Sequence, residues 1–142
     1  MWRVSTGSGV VQNPPSIYNK MLYAGASDGN VYAFALSGGP ALWNYTTGAA
    51  IAGSLQTFNG VIYASSQDDA VYALDSQSGA LLWHVQTGGP LSSAPVLAYG
   101  VLYAGSSDAH VYALWANDGS QIWSYATTGS VGISPIVILN SL

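Results

Sequence analysis

Short apolar runs alternate with turn residues along the chain, and no stretch keeps a sustained helical period. Val61-Ile62-Tyr63-Ala64 and Val71-Tyr72-Ala73-Leu74 are rich in β-branched and aromatic residues. Leu81-Leu82-Trp83-His84-Val85 is a third run, and a fourth lies near Ala94-Pro95-Val96-Leu97. Between the runs stand Asn59-Gly60, Asp28-Gly29-Asn30, Ser78-Gly79, Asp118-Gly119 and Gly88-Gly89-Pro90, residues that suit tight turns. The pattern predicts short strands joined by hairpins, hence an all-β chain.

The pattern also repeats. Trp43, Trp83 and Trp123 recur at intervals of 40 residues, and 17–47 aligns without a gap on 57–87 and 97–127. Nine columns are identical in all three copies. They are headed by Tyr23, Ala24, Asp28, Val31, Tyr32, Ala33, Gly39, Trp43 and Thr47. Pro15, Pro95 and Pro135 keep the same period, with Leu55 as the exception, and Trp2 is displaced by one residue. Four short strands per 40-residue repeat is the blade arithmetic of a β-propeller.

The run Val71 to Trp83, Val-Tyr-Ala-Leu-Asp-Ser-Gln-Ser-Gly-Ala-Leu-Leu-Trp, resembles the repeat of PQQ-like, quinoprotein-type propellers, with its Tyr-Ala-Leu-Asp…Thr-Gly…Leu-Trp signature. Val31 to Trp43 and Val111 to Trp123 are degenerate copies, with Ala35 and Trp115 where the middle copy has Asp75. The resemblance implies four-stranded antiparallel blades, each Trp docking against the neighbouring blade. It also implies an extracytoplasmic location. It is specific for fold and says less about function, because dehydrogenases, assembly scaffolds and sensors share the fold.

Strand counting gives about three and a half blades: an orphan outer strand within 1–7, blades over 9–45, 50–85 and 91–125, and a lone inner strand within 130–139. Propellers close with roughly four to eight blades, so an open arc leaves apolar radial faces bare. Burial of each large side chain on such a face stabilises by about 1.5–3 kcal/mol. The expectation is a homo-oligomer, most simply a dimer, closing a ring of about six or seven blades.

Composition narrows the chemistry. The chain has 142 residues, 49% hydrophobic and 6% charged, enough apolar material for a core. Two cations, Arg3 and Lys20, face six Asp, giving a net charge of −4, which argues against nucleic acid and against a polybasic membrane patch. No run approaches membrane-spanning length, and the N-terminal residues show no signal-peptide apolar region. The chain therefore reads as a mature form, a cytoplasmic protein or a piece of a longer precursor. The absence of Cys removes disulfides and thiolate metal sites.

Asp28, Asp68 and Asp108 share one column between the second and third strands of each blade, where Asp is expected to cap turns. Asp68 and Asp69 together are candidate Ca²⁺ ligands, although Ca²⁺ takes about six to eight oxygens. Asp108 and His110 are the candidate metal or catalytic pair, since two Asp–His pairs across a dimer axis would suit Zn²⁺ and water activation. His84, beside Trp83, is expected at the rim, and no nucleophile elbow or phosphate loop is present. The repeated tyrosines are expected to pack between blades. Aromatics outside the repeat, Tyr18, Phe58, Tyr99 and Trp115, are the ones that point to a ligand, and Trp115, Tyr99 and Phe58 are the ligand-binding candidates. The resemblance implies a quinone held by Ca²⁺, cations and an aromatic floor. With no Glu and two cations near the N-terminus, no quinone cofactor is predicted. The sequence thus reads as a non-catalytic binding or scaffold module. A metal-assisted hydrolase is the alternative and a quinone-dependent dehydrogenase fragment the third reading.

Overall fold

A computed structural model describes residue 6 and residues 9–135. Twelve strands form three four-stranded sheets, each in sequence order. Blade 1 comprises β1 (Ser16–Tyr18), β2 (Met21–Gly25), β3 (Asn30–Ala35) and β4 (Trp43–Thr46). Blade 2 comprises β5 (Gln56–Phe58), β6 (Val61–Ser65), β7 (Ala70–Asp75) and β8 (Leu81–Gln86). Blade 3 comprises β9 (Val96–Ala98), β10 (Val101–Gly105), β11 (His110–Trp115) and β12 (Gln121–Ala126). All pairings are antiparallel. The orphan strand expected within 1–7 and most of the strand expected within 130–139 lie outside the described residues, and 130–135 contain no strand.

The core lies between the sheets. Tyr23, Val31 and Ala33 of blade 1 pack with Ile51, Leu55, Ile62, Ala64 and Leu74 on the blade 2 side. Tyr63, Val71 and Ala73 of blade 2 pack in the same way with Leu91, Leu102, Ala104, Leu114 and Ala116. Strand alternation explains this: in β7, Val71 and Ala73 face blade 3, while Tyr72 and Leu74 face blade 1. Both faces of a middle blade are buried, so its strands carry apolar residues on both sides.

The Trp column builds each interface. Trp83 stands opposite Ala73 across the β7–β8 pair, and the small alanine leaves room for the indole. Trp83 lies 5.9 Å from the Tyr63 ring at 45°, a tilted arrangement that aromatic pairs favour. Its Nε1–H donates to the Ala116 carbonyl at 3.2 Å, and the Tyr63 hydroxyl donates to the same oxygen at 3.0 Å. Blade 1 repeats the arrangement, with Trp43 and Tyr23 donating to Ser76 O at 3.1 and 3.0 Å. Gly119 receives the indole: its φ is +74°, and a Cβ there would meet Trp83 at 2.6 Å.

Candidate functional site

The hairpin topology puts two kinds of loop at opposite ends of the blades. The β2–β3, β6–β7 and β10–β11 turns share one end, and the remaining hairpin turns share the other. The first end carries the aspartate column. Asp28 and Asp108 cap their turns, each accepting the N–H two residues on, from Asn30 at 3.0 Å and from His110 at 2.9 Å. The other carboxylate oxygen takes the hydroxyl of the tyrosine four residues on, in the pairs Tyr32–Asp28, Tyr72–Asp68 and Tyr112–Asp108.

A second donor reaches that oxygen from the preceding blade. Gly48 N–H donates to Asp68 Oδ2 at 2.6 Å, and Gly88 N–H donates to Asp108 Oδ2 at 2.9 Å. A Cβ on Gly88 would lie 2.4 Å from that oxygen, so the approach requires glycine. Asp68 and Asp108 thus each latch one blade to the next. Burial tends to raise the Asp108 carboxyl, but the Tyr112 hydroxyl, the neighbouring Ser106 hydroxyl and backbone N–H groups outweigh it and hold the group below the usual carboxylate range. Burial and the neighbouring carboxylates push the Tyr32, Tyr72 and Tyr112 hydroxyls up.

The metal and catalytic candidates fall on this end. The structure brings Asp108 and His110 together: His110 Nδ1 is 3.5 Å from Asp108 Oδ1 and 3.1 Å from the Asp108 carbonyl. Both Asp108 oxygens already carry donors, and Ser106 Oγ, buried beside it, donates to Gly89 O at 2.9 Å. Asp69 holds a left-handed φ of 70° beside Asp68, whose Oδ1 is buried without a hydrogen-bond partner. Among the described residues no three His, Cys, Asp or Glu side chains gather closely enough to hold a metal. His84 stacks on Tyr72, with ring centroids 5.7 Å apart. Lys20, the one cation among the described residues, sits in the β1–β2 turn. These residues do not fit a quinone with its Ca²⁺ ion.

The opposite end carries the aromatics that break the repeat. A groove of about 750 Å³ opens between blades 2 and 3. Phe58, 45% exposed, and Trp115, 47% exposed, both line it, with Tyr63 and Trp83 in its wall. Asn59, Asn117, Asp118 and Ser120 supply the polar lining. Asp118 Oδ1 accepts from the Ser120 hydroxyl and N–H at 2.7 and 2.9 Å, and those bonds hold its carboxyl below the usual range. Tyr99 precedes Gly100, which lines the groove; it is 80% exposed and holds φ at 50° where Asn19 and Asn59 stand in the other blades. Leu82, an extra residue at the β-bulge between β7 and β8, also reaches the groove.

Successive four-stranded antiparallel sheets, packed face to face through tryptophan docking, define a segment of a β-propeller. The family model described as outer membrane protein assembly factor BamB matches residues 27–138, and the chain belongs to this PQQ-like repeat family. Solved structures agree on the fold. BamB from Moraxella catarrhalis superposes with a TM-score of 0.73 at 18% identity, over 87% of this chain and 38% of that one. A quinohemoprotein alcohol dehydrogenase from Pseudomonas putida gives 0.78 at 20% identity, over 88% of this chain and 22% of that one. The computationally designed Ika4 protein gives 0.82 at 12% identity, over 93% of this chain and 82% of that one. The chain therefore spans well under half of the BamB and dehydrogenase chains. No curated protein sequence matches it.

Proposed function

We propose that the chain is a non-catalytic scaffold segment of an extracytoplasmic β-propeller, and that a second copy supplies the blade seated on the outer face of blade 3. The observation that carries this reading is an aromatic pair already assembled but lacking an acceptor among the described residues. Tyr103 and Trp123 sit 6.0 Å apart at 49°, the geometry of the docked pairs. Neither their hydroxyl nor their indole N–H finds a partner among the described residues, and Trp123 is 44% exposed beside Tyr125 and Ile122. On the far side of the arc, Gly39 occupies the column of Gly79 and Gly119, and no described atom lies within 4 Å of a Cβ placed there.

Three further features support the reading. A surface with two cations and six acids puts little long-range repulsion between copies. The Ika4 chain, of which this fold covers 82%, shows that a polypeptide of about this span can exist as a separate chain. The family's description, an outer-membrane assembly factor, supports both the scaffold role and the location. On the aspartate end, both oxygens of Asp28 and of Asp108 are engaged in turn caps and tyrosine bonds, which favours structure over catalysis there.

Sedimentation velocity over a range of concentrations tests the proposal. The wild-type chain is expected to associate, and Trp123→Ala is expected to remain folded and monomeric. A folded wild-type monomer at every concentration would overturn the self-association.

A further inference from the structure

The groove between blades 2 and 3 lies within one chain, so it stands or falls independently of the seam. Its wall has no hydrogen bonds to spare. The Trp83 indole N–H and the Tyr63 hydroxyl are both committed to the Ala116 carbonyl, at 3.2 and 3.0 Å. Tyr63 is buried, and what the half-buried Trp83 turns toward a ligand is aromatic surface. Phe58 of blade 2 and Trp115 of blade 3, each nearly half exposed, also line the groove.

Trp115 is not required by the fold. It pairs with Val101 at the register where blade 1 has Ala35 opposite Met21 and blade 2 has Asp75 opposite Val61. A small or polar side chain serves at that position in the other two blades, so a large indole left partly in water has no packing role to explain it. The charge of the lining has one sign. Among the described residues, Asp118 is its only carboxylate, held in its charged form by Ser120, and no cationic side chain lines the groove. Such a site disfavours phosphates and carboxylates. Aromatic faces attract a cation placed over them, tryptophan most strongly, and a carboxylate at the edge adds to that attraction.

We propose that this groove is a binding site for an organic ammonium group, a quaternary or methylated amine with an apolar shell, seated against Trp115 and Phe58 with Asp118 beside its charge. The methyl groups match the apolar wall, and the diffuse positive charge needs no hydrogen-bond acceptor from it. Asn59 and Asn117 are placed to hold polar groups on the remainder of the ligand.

Isothermal titration of the intact chain with choline tests this, against 3,3-dimethylbutanol as the uncharged analogue of the same shape and glucose as a neutral sugar. Choline is expected to bind at least about tenfold more tightly than dimethylbutanol, with affinity falling as salt rises. Trp115→Ala, which installs the residue blade 1 carries at this register, should weaken choline by about tenfold. Asp118→Asn should weaken it by a smaller factor and flatten the salt dependence. Both variants should keep the wild-type thermal midpoint and circular dichroism. Equal binding of choline and dimethylbutanol, binding of glucose in preference to both, or no heat from choline at millimolar concentration would each overturn the proposal. Undiminished choline binding in a folded Trp115→Ala variant would overturn it as well.

Discussion

Trp83 and Trp123 occupy the same column on the outer strands of adjacent blades, yet their surroundings differ. Trp83 lies over Gly119 and donates to Ala116 O, and its tyrosine partner donates to the same carbonyl. Trp123 meets its own tyrosine at nearly the same distance and tilt but finds no acceptor among the described residues. Its own strand, β12, is exposed along its whole length, whereas β8, which carries Trp83, alternates over its second half. The difference teaches that an individual blade assembles its docking pair by itself, and that the adjacent blade adds the receiving carbonyl and glycine to its apolar face. The interface is therefore modular, built from positions that the blades repeat.

The largest expected effect breaks that comparison in one step. Trp83→Ala should lower unfolding stability by about 3–5 kcal/mol in denaturant titration, because it empties a packed interface. Trp123→Ala should cost the isolated monomer under about 1 kcal/mol, since its indole has little to lose there. Comparable losses from both in a monomer would show that Trp123 is already docked. Gly119→Ala is the next largest. A Cβ 2.6 Å from Trp83 and a φ of +74° should together cost about 2–3 kcal/mol, whereas Gly39→Ala, with φ +117° but no described neighbour, should carry backbone strain without the clash. Thermal melts of the two variants separate the contributions.

The aspartate latch gives a smaller effect. Tyr112→Phe removes one donor from Asp108 and should cost about 1 kcal/mol. The latch also sets a pH window. Asp28 and Asp108 titrate below their unfolded value of 3.8, so their contribution is present above that pH and is lost as pH falls through the depressed folded values. Tyr32, Tyr72 and Tyr112 titrate above their unfolded value of 10.0, so theirs is present below pH 10.0 and is lost as pH rises through the elevated folded values. Stability measured by urea midpoint should be flat between these limits and fall on both sides, and Tyr112→Phe should make the alkaline fall shallower.

The fold was legible because each repeated column has one physical task. The indole, the alanine beneath it and the glycine that receives it recur together, as do the apolar residues on both faces of the third strands. The latch was only half legible. Asp28 and Asp108 read as turn caps, and they are. The tyrosines read as inter-blade packing, and Tyr72 does lie 5.9 Å from Tyr45 of blade 1, but the hydroxyls of Tyr32, Tyr72 and Tyr112 turn back to their own loops. The Gly48 and Gly88 donors gave no local signal, because a backbone N–H carries no residue-type signature and its acceptor lies 20 residues away. Phe58 and Trp115 stand out in the sequence by breaking the repeat, but only the packing of blade 2 on blade 3 places them on one groove.

The most direct measurement is hydrogen exchange of the Trp83 and Trp123 indole N–H groups by NMR, followed from dilute to concentrated protein. If a second copy seats its flank on blade 3, Trp83 stays protected throughout, and Trp123 passes from rapid exchange to protection like that of Trp83 as concentration rises. An indole at Trp123 that exchanges rapidly at every concentration, in a chain that remains folded, would contradict the account.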